Sequence, residues 1–189
     1  NDEDSFPMSS VGQKADPSTY VSPATTLLAN MVENDNLDLD EANQKLQISL
    51  NLPDNFDLTK VNPKTNDIAS QAGTFVAQVM KTIPTTNKIQ ALKSITKEFR
   101  SKADLNQSVA TINSTEVTVS DLNLSSIAND IKNESATSII DSDMEKLKLT
   151  QSLLTTQLNN SVSKIKAFDN LSDDDKKEAI ASSKALEIL

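Results

Sequence analysis

The chain of 189 residues contains only two glycines, and this scarcity limits its folds more than any other feature. Tight hairpins, β-bulges, phosphate-binding loops and dinucleotide-binding turns use glycine for backbone angles that other residues adopt only at a cost. The scarcity therefore argues against an all-β sandwich and against a Rossmann domain. Since apolar residues recur at helical spacing along much of the sequence, we predict an all-α fold, a bundle of about six or seven helices with an extended N-terminal arm.

The sequence contains no histidine and no cysteine. Their absence removes thiol nucleophiles, disulfides, ordinary zinc sites and the side chain that most often transfers protons near neutral pH. No G-x-S-x-G motif, serine–lysine motif set or glycine-rich loop takes their place. We therefore predict that the chain is not an enzyme and has no cofactor, with a carboxylate-dependent hydrolase as the weaker alternative.

Local signals divide the chain into an arm and a single helical domain. Residues 1–21 carry proline, serine and aspartate without helical spacing, so we predict an extended arm or the end of a preceding β segment. Residues 22–189 form the predicted helical bundle domain. Its first helix begins with Ser22 as N-cap and Pro23 at the first helical position, and it ends near Asn34.

Three more helices follow from caps and apolar spacing. A second helix is predicted from Leu39 to Leu50, with Asp38 as its cap and Glu41 three residues later, as in a capping box. A third runs from Asn66 until Pro84 breaks it. A fourth helix begins at Thr86 or Asn87. We expect four of its apolar residues to face the core, and the helix to continue or restart through three more apolar residues. These residues are Ile89, Leu92, Ile95 and Phe99, and then Leu105, Val109 and Ile112.

The last third of the chain continues the helical pattern. A short β-branched stretch at residues 114–121 is predicted to be extended, and Leu122, Leu124, Ile127 and Ile131 then resume helical spacing. Asp143 caps the longest predicted helix, whose apolar seam from Met144 to Phe168 is close to a heptad repeat. That seam fits a bundle core better than a homotypic coiled coil, and it leaves the oligomeric state open. Ser172 caps a final predicted helix, which carries Ile180, Leu186 and Leu189 inward.

The formal net charge of −9 lies entirely in the first third of the chain. Residues 1–57 hold eleven acidic residues against two lysines, and the remaining residues hold sixteen of each sign. Such a balance repels phosphate backbones, so we predict no nucleic-acid partner. The basic stripe Lys93, Lys97 and Arg100 is interpreted as a solvated helix face turned toward the acidic third. No apolar run of about 18 residues exists, and we predict no membrane span in this chain.

Four acidic residues in the first third form the weak candidate metal site, Asp35, Asp38, Asp40 and Glu41. Clustered carboxylates attract Ca²⁺, but the calcium loop order of EF-hands is not met, because Leu37 stands where a second ligand belongs and no glycine supplies the turn. We therefore predict helix capping and solvation, with no metal bound. A calcium-binding adhesion module that uses the acidic third remains the alternative.

The segment from Tyr20 to Pro63 resembles a helical module found in exported and surface-anchored proteins of Gram-negative bacteria. The module opens with Val-Ser/Thr-Pro-Leu-Thr-Thr-Leu, continues with an acidic helix, and ends with Leu-Gly-Leu-Pro, Asp-Leu-Thr and a final proline. This chain departs from it at Ala24, at Asn51 where glycine is usual, and at Asn62. The matching residues are Val21, Ser22, Pro23, Thr25, Thr26, Leu27, Glu41, Ala42, Leu52, Pro53, Asp57, Leu58, Thr59 and Pro63.

The resemblance implies a location more than an activity. Proteins with this module are often lipoproteins or adhesin-like, and an Ig-like or carboxypeptidase-regulatory-like segment usually precedes it. It therefore implies a non-enzymatic structural or interaction module of an exported bacterial cell-surface protein. We expect a periplasmic or cell-surface location, a targeting segment outside this chain, and a protein or surface polymer as partner.

Overall fold

The computed structural model describes residues 6–9, 20–83, 87–113, 122–134 and 172–177. These residues form six helices and no strand, which confirms the predicted all-α class. The sixth helix is short and covers residues 173–177. The other five are α1 (Pro23–Asn34), α2 (Leu39–Leu50), α3 (Asp67–Thr82), α4 (Lys88–Asn113) and α5 (Leu124–Glu134).

Several predictions from the sequence lie outside the described residues. They are the extended link at 114–121, the long helix after Asp143 with its heptad-like seam, and the inward residues Ile180, Leu186 and Leu189. Within the described part of the chain, no helix has both the length and the apolar character that crossing a membrane requires.

Helix α1 packs against three other helices, α2, α3 and α4. Its sequence carries no charged residue before Glu33, and seven of its twelve residues are buried. A helix that is apolar nearly all round is stable only when other elements cover every face. Gly73 of α3 allows a close approach here, since a Cβ at that position would lie 3.7 Å from Pro23 Cδ.

Helix α2 begins and ends as its sequence predicts. Asp38 caps it by accepting a hydrogen bond from the Glu41 backbone N–H at 2.7 Å. The helix ends at Asn51, which adopts the left-handed conformation with φ of 55°. The Leu52 N–H then donates to the carbonyl of Gln47, five residues earlier, at 2.9 Å. This is the hydrogen bond of a Schellman motif that spans more residues. Asparagine thus fills the position where the resembling module has glycine.

Side chains of α2 hold the connection to α3 in place. Asn43 Nδ2 and Gln47 Nε2 both donate to the Phe56 carbonyl, at 3.2 and 2.7 Å. In the Asp-Leu-Thr stretch, Asp57 Oδ1 accepts from both the N–H and the hydroxyl of Thr59. This turn directs Leu58 into the core, where it is buried.

Helices α3, α4 and α5 complete the core. Phe75 of α3 meets Phe99 of α4 edge to face, with ring centroids 6.1 Å apart. Leu122, Ile127 and Ile131 bring α5 onto the same apolar cluster. The sequence interpretation was wrong at Ile89, which is 65% exposed, and the apolar pattern does not continue inward at Leu105, which is 61% exposed. The periodicity alone could not show that no element in the described part of the chain covers these two positions of α4.

Core substitutions are expected to destabilise the fold more than cap substitutions. Leu27 and Leu46 are fully buried, so Leu27→Ala and Leu46→Ala should each cost about 2–5 kcal/mol of unfolding free energy. Asp38→Ala should cost about 1 kcal/mol at an exposed cap, and Ser22→Ala about 2 kcal/mol because that cap is buried. Urea denaturation of the four variants measures this order. Cap variants as damaging as the leucine variants would contradict it.

Candidate functional site

The four candidate metal ligands do not converge on one point. Asp35 ends α1, and its Oδ2 lies 2.9 Å from Nη1 of Arg100 on α4. Asp38 is occupied as the α2 cap, while Asp40 and Glu41 stand in the first turn of α2, where the helix dipole favours negative charge. Among the described residues, no group of three or more acidic side chains is placed to hold a metal ion. Each carboxylate thus has a structural environment that accounts for it.

The basic stripe on α4 is divided among several partners. Arg100 pairs with Asp35, so this part of the stripe faces the acidic third as predicted. Lys97 Nζ instead lies 2.7 Å from Asp130 Oδ2 on α5, and Lys93 is exposed. The stripe therefore joins α4 to two neighbouring segments.

The arm contacts the start of α1 through one hydroxyl group. Thr26 is fully buried, and its Oγ1 accepts a hydrogen bond from the Ser9 N–H and lies 3.1 Å from the Ser9 carbonyl oxygen. Nearby, the ammonium of Lys88 lies 5.0 Å from the centre of the Phe6 ring. Met8 Sδ is 3.7 Å from the same hydroxyl. We call these five residues, Phe6, Met8, Ser9, Thr26 and Lys88, the arm joint.

A second polar cluster lies between α4 and α5, and no motif or spacing in the sequence predicted it. Glu98 Oε1 accepts the Asn123 N–H at 2.9 Å, and Asn123 in turn caps the start of α5 by accepting the Ser126 N–H. Burial raises the pKa of Glu98, and the nearby carboxylate of Asp130 adds to the rise, against the hydrogen bond from Asn123 and the charges of Lys102 and Lys97. The contact joins residues 25 positions apart, which no local pattern can reveal.

Two carboxyl groups that influence each other are the arrangement a carboxylate-dependent hydrolase would need. Glu98 and Asp130 interact electrostatically, but each also serves a structural contact. Glu98 holds the α5 cap and Asp130 pairs with Lys97. The pair therefore links two helices.

Two glutamines of α3 are buried with amide atoms that lack hydrogen bonds. Gln71 is 3% exposed with neither Nε2 nor Oε1 paired, and Oε1 of Gln78, which is 4% exposed, is also unpaired. The two residues are seven positions apart and share one face of the helix.

Comparison with known proteins adds no relative to this picture. Neither a family model, nor a curated protein, nor a solved structure matches the chain.

We expect calcium to leave the stability of the protein unchanged, because the four candidate acids are dispersed. A bound ligand raises the unfolding free energy by about 2.7 kcal/mol at a hundredfold excess over its Kd. Thermal unfolding in chelator and in millimolar Ca²⁺ should give the same melting temperature. A rise of several degrees in Ca²⁺ that disappears in Asp35→Asn and Asp38→Asn would instead establish the calcium module.

Glu98→Gln should raise the unfolding free energy at pH 7. The pKa of Glu98 is raised in the folded state, so folding favours the protonated carboxyl group. The stabilisation that this gives is lost as the pH rises through the folded pKa, and at pH 7 the ionised, partly buried Glu98 lowers the unfolding free energy. Glutamine stays neutral and keeps an oxygen for the Asn123 N–H. The advantage over the native chain should therefore shrink at about pH 3.5, below the ordinary glutamate pKa. Urea denaturation at the two pH values measures it.

Glu41→Gln is the matched control for this prediction. Glu41 is exposed in the first turn of α2 and lies 3.8 Å from Lys45 Nζ, so neutralising it removes favourable interactions. This variant should not gain stability at pH 7. Equal gains in both variants would point to the net charge of the chain as the cause, and no gain in Glu98→Gln would contradict the argument from burial.

Proposed function

We propose that this chain is a non-enzymatic structural or interaction module of an exported bacterial cell-surface protein. The proposal rests on one observation, the structural roles of the residues in the motif at the start of α1. Each residue of that motif whose contacts are described has a structural task, and none is directed to a shared site for a substrate.

The tasks of the opening motif can be assigned one by one. Ser22 caps α1, and Pro23 occupies the first helical position. Thr25 completes the capping box, since its Oγ1 accepts the Ser22 N–H at 2.8 Å. Thr26 holds the arm, and Leu27 is fully buried in the core. A motif of this kind is expected in a module that must fix one segment against another.

The remaining motif residues support the same proposal. Leu52 and Leu58 are buried in the core, and Asp57 forms the turn that positions Leu58. Partial burial acts to raise the pKa of Asp57, but the hydrogen bonds from Lys60 and Thr59 outweigh it, so the pKa lies below its ordinary value. The residues that carry the resemblance to surface-protein modules are thus residues that build the fold.

The proposed location rests on the resemblance, and the proposed role rests on the arm joint. A module that docks an extended segment against a helix can set the orientation of whatever that segment belongs to. Met8, whose sulfur lies 3.7 Å from the Thr26 hydroxyl, and Val21, which directly precedes the Ser22 cap, are 46% and 55% exposed. They offer apolar surface beside the joint for a protein or surface-polymer partner.

Protease treatment of intact bacteria tests the location. Cells that express the parent protein with its own targeting segment are treated with proteinase K, and this chain is detected by immunoblot. We expect digestion in intact cells if the module is on the surface, and digestion only after permeabilising the outer membrane if it is periplasmic.

The controls are a periplasmic and a cytoplasmic protein probed on the same blots. Both must survive in intact cells, and the periplasmic control must be lost after outer-membrane permeabilisation. If this chain is digested only when the cytoplasmic control is digested, the protein is not exported and the proposed location is wrong.

A further inference from the structure

We propose that residues 6–9 form a strap that detaches from α1 as a separate unit while the helical bundle stays folded. The proposal goes beyond the function proposed above, because it holds for this chain whether or not the parent protein is exported. It depends on how the hydrogen bonds of Thr26 are shared between the strap and α1.

The hydroxyl of Thr26 has a partner in α1 as well as in the strap. Its Oγ1 lies 2.9 Å from the Ser22 carbonyl oxygen and 3.1 Å from the Ser9 carbonyl oxygen. A hydroxyl has one proton to donate, so the two carbonyl groups compete for it. When the strap leaves, the proton can pass wholly to Ser22, and the buried hydroxyl still has a bond.

The start of α1 needs nothing from the strap. The Ser22 carbonyl also accepts the Thr26 N–H at 2.9 Å, and the Thr25 hydroxyl lies 3.0 Å from the same carbonyl and 3.3 Å from Ser22 Oγ. When the Thr25 hydroxyl donates to Ser22 Oγ, the second lone pair of the carbonyl is left for the Thr26 hydroxyl. Ser22 Oγ accepts the Thr25 N–H at 3.1 Å, which completes the capping box. The Ser22 N–H, the Thr25 N–H and the Thr26 hydroxyl each have a partner within residues 22–26, so detachment leaves none of these three groups unpaired.

The strap itself is held by few interactions. Phe6 is only partly buried against the core, and Met8 is nearly half exposed. The described polar contacts of the strap with the bundle are those of Ser9 with Thr26, the weak contact of the same hydroxyl with Met8, and the approach of Lys88 to the Phe6 ring. By comparison, Leu27 and Leu28 of α1 are fully buried. Local opening of the strap should therefore cost much less free energy than unfolding of the bundle.

Amide hydrogen exchange of the full chain, followed by NMR, tests the proposal at single residues. The Ser9 amide should be protected, because it donates to Thr26, but its protection factor should lie orders of magnitude below those of Leu27 and Leu28. In Thr26→Val the side-chain shape is kept and the hydroxyl is lost. Protection of Ser9 should then fall roughly fivefold to thirtyfold, as expected for the loss of one or two kcal/mol.

Thr26→Ser is the matched control, because it keeps the hydroxyl and removes only the methyl group. It should leave the protection of Ser9 near its native value, even if the protection of Leu28 falls with the global stability. The proposal is overturned if Ser9 and Leu28 exchange with the same protection, since opening is then global. It is also overturned if Ser9 is unprotected in the native chain, or if Thr26→Val lowers the protection of Ser9 and Leu28 by the same factor.

Discussion

The fold depends on satisfying the polar groups at a helix start that lies inside the protein. The first four N–H groups of an α-helix have no partner within the helix, and water usually supplies one. Here Ser22 and Thr25 are buried, and the reciprocal bonds between them replace water. Because this end is capped from within the chain, α1 can pack against α2, α3 and α4 at once. Without the capping box, the most apolar helix in the described chain would bury unpaired donors.

The acidic first third is balanced by the helix that packs against it. Asp35 places negative charge at the C-terminal end of α1, where the helix dipole is unfavourable to it, and Arg100 compensates at 2.9 Å. On the next helix, Lys45 Nζ lies 2.6 Å from Asp104 Oδ1 of α4. Both pairs are only partly buried, and ion pairs in contact with solvent contribute little stability each. Their consistent effect is to set the position of α4 relative to both α1 and α2.

Local sequence predicted the helices and their caps better than it predicted the tertiary contacts. The bounds of α1 and α2 and the caps Ser22 and Asp38 follow from residue types at neighbouring positions, and the structure confirms them. The errors and omissions concern contacts between distant segments. Spacing placed Ile89 inside although no described element covers it, and the bond from Asn123 to Glu98 needs α5 to be already in position. Helical spacing shows that a face is apolar, but it does not show which element will cover that face.

The same distinction separates the acidic residues, which the sequence indicates as a candidate site, from the arm joint, which only the tertiary structure reveals. Asp38, Asp40 and Glu41 attract attention in a sequence because carboxylates are the groups that bind cations. In the fold, they serve the start of α2, as the dipole favours. Thr26 looks ordinary beside Thr25, yet its hydroxyl is the one polar group in α1 that contacts both the helix and the strap among the described residues. A hydroxyl with a partner on each side can exchange one for the other, and this is why the start of α1 can remain intact in either state of the strap.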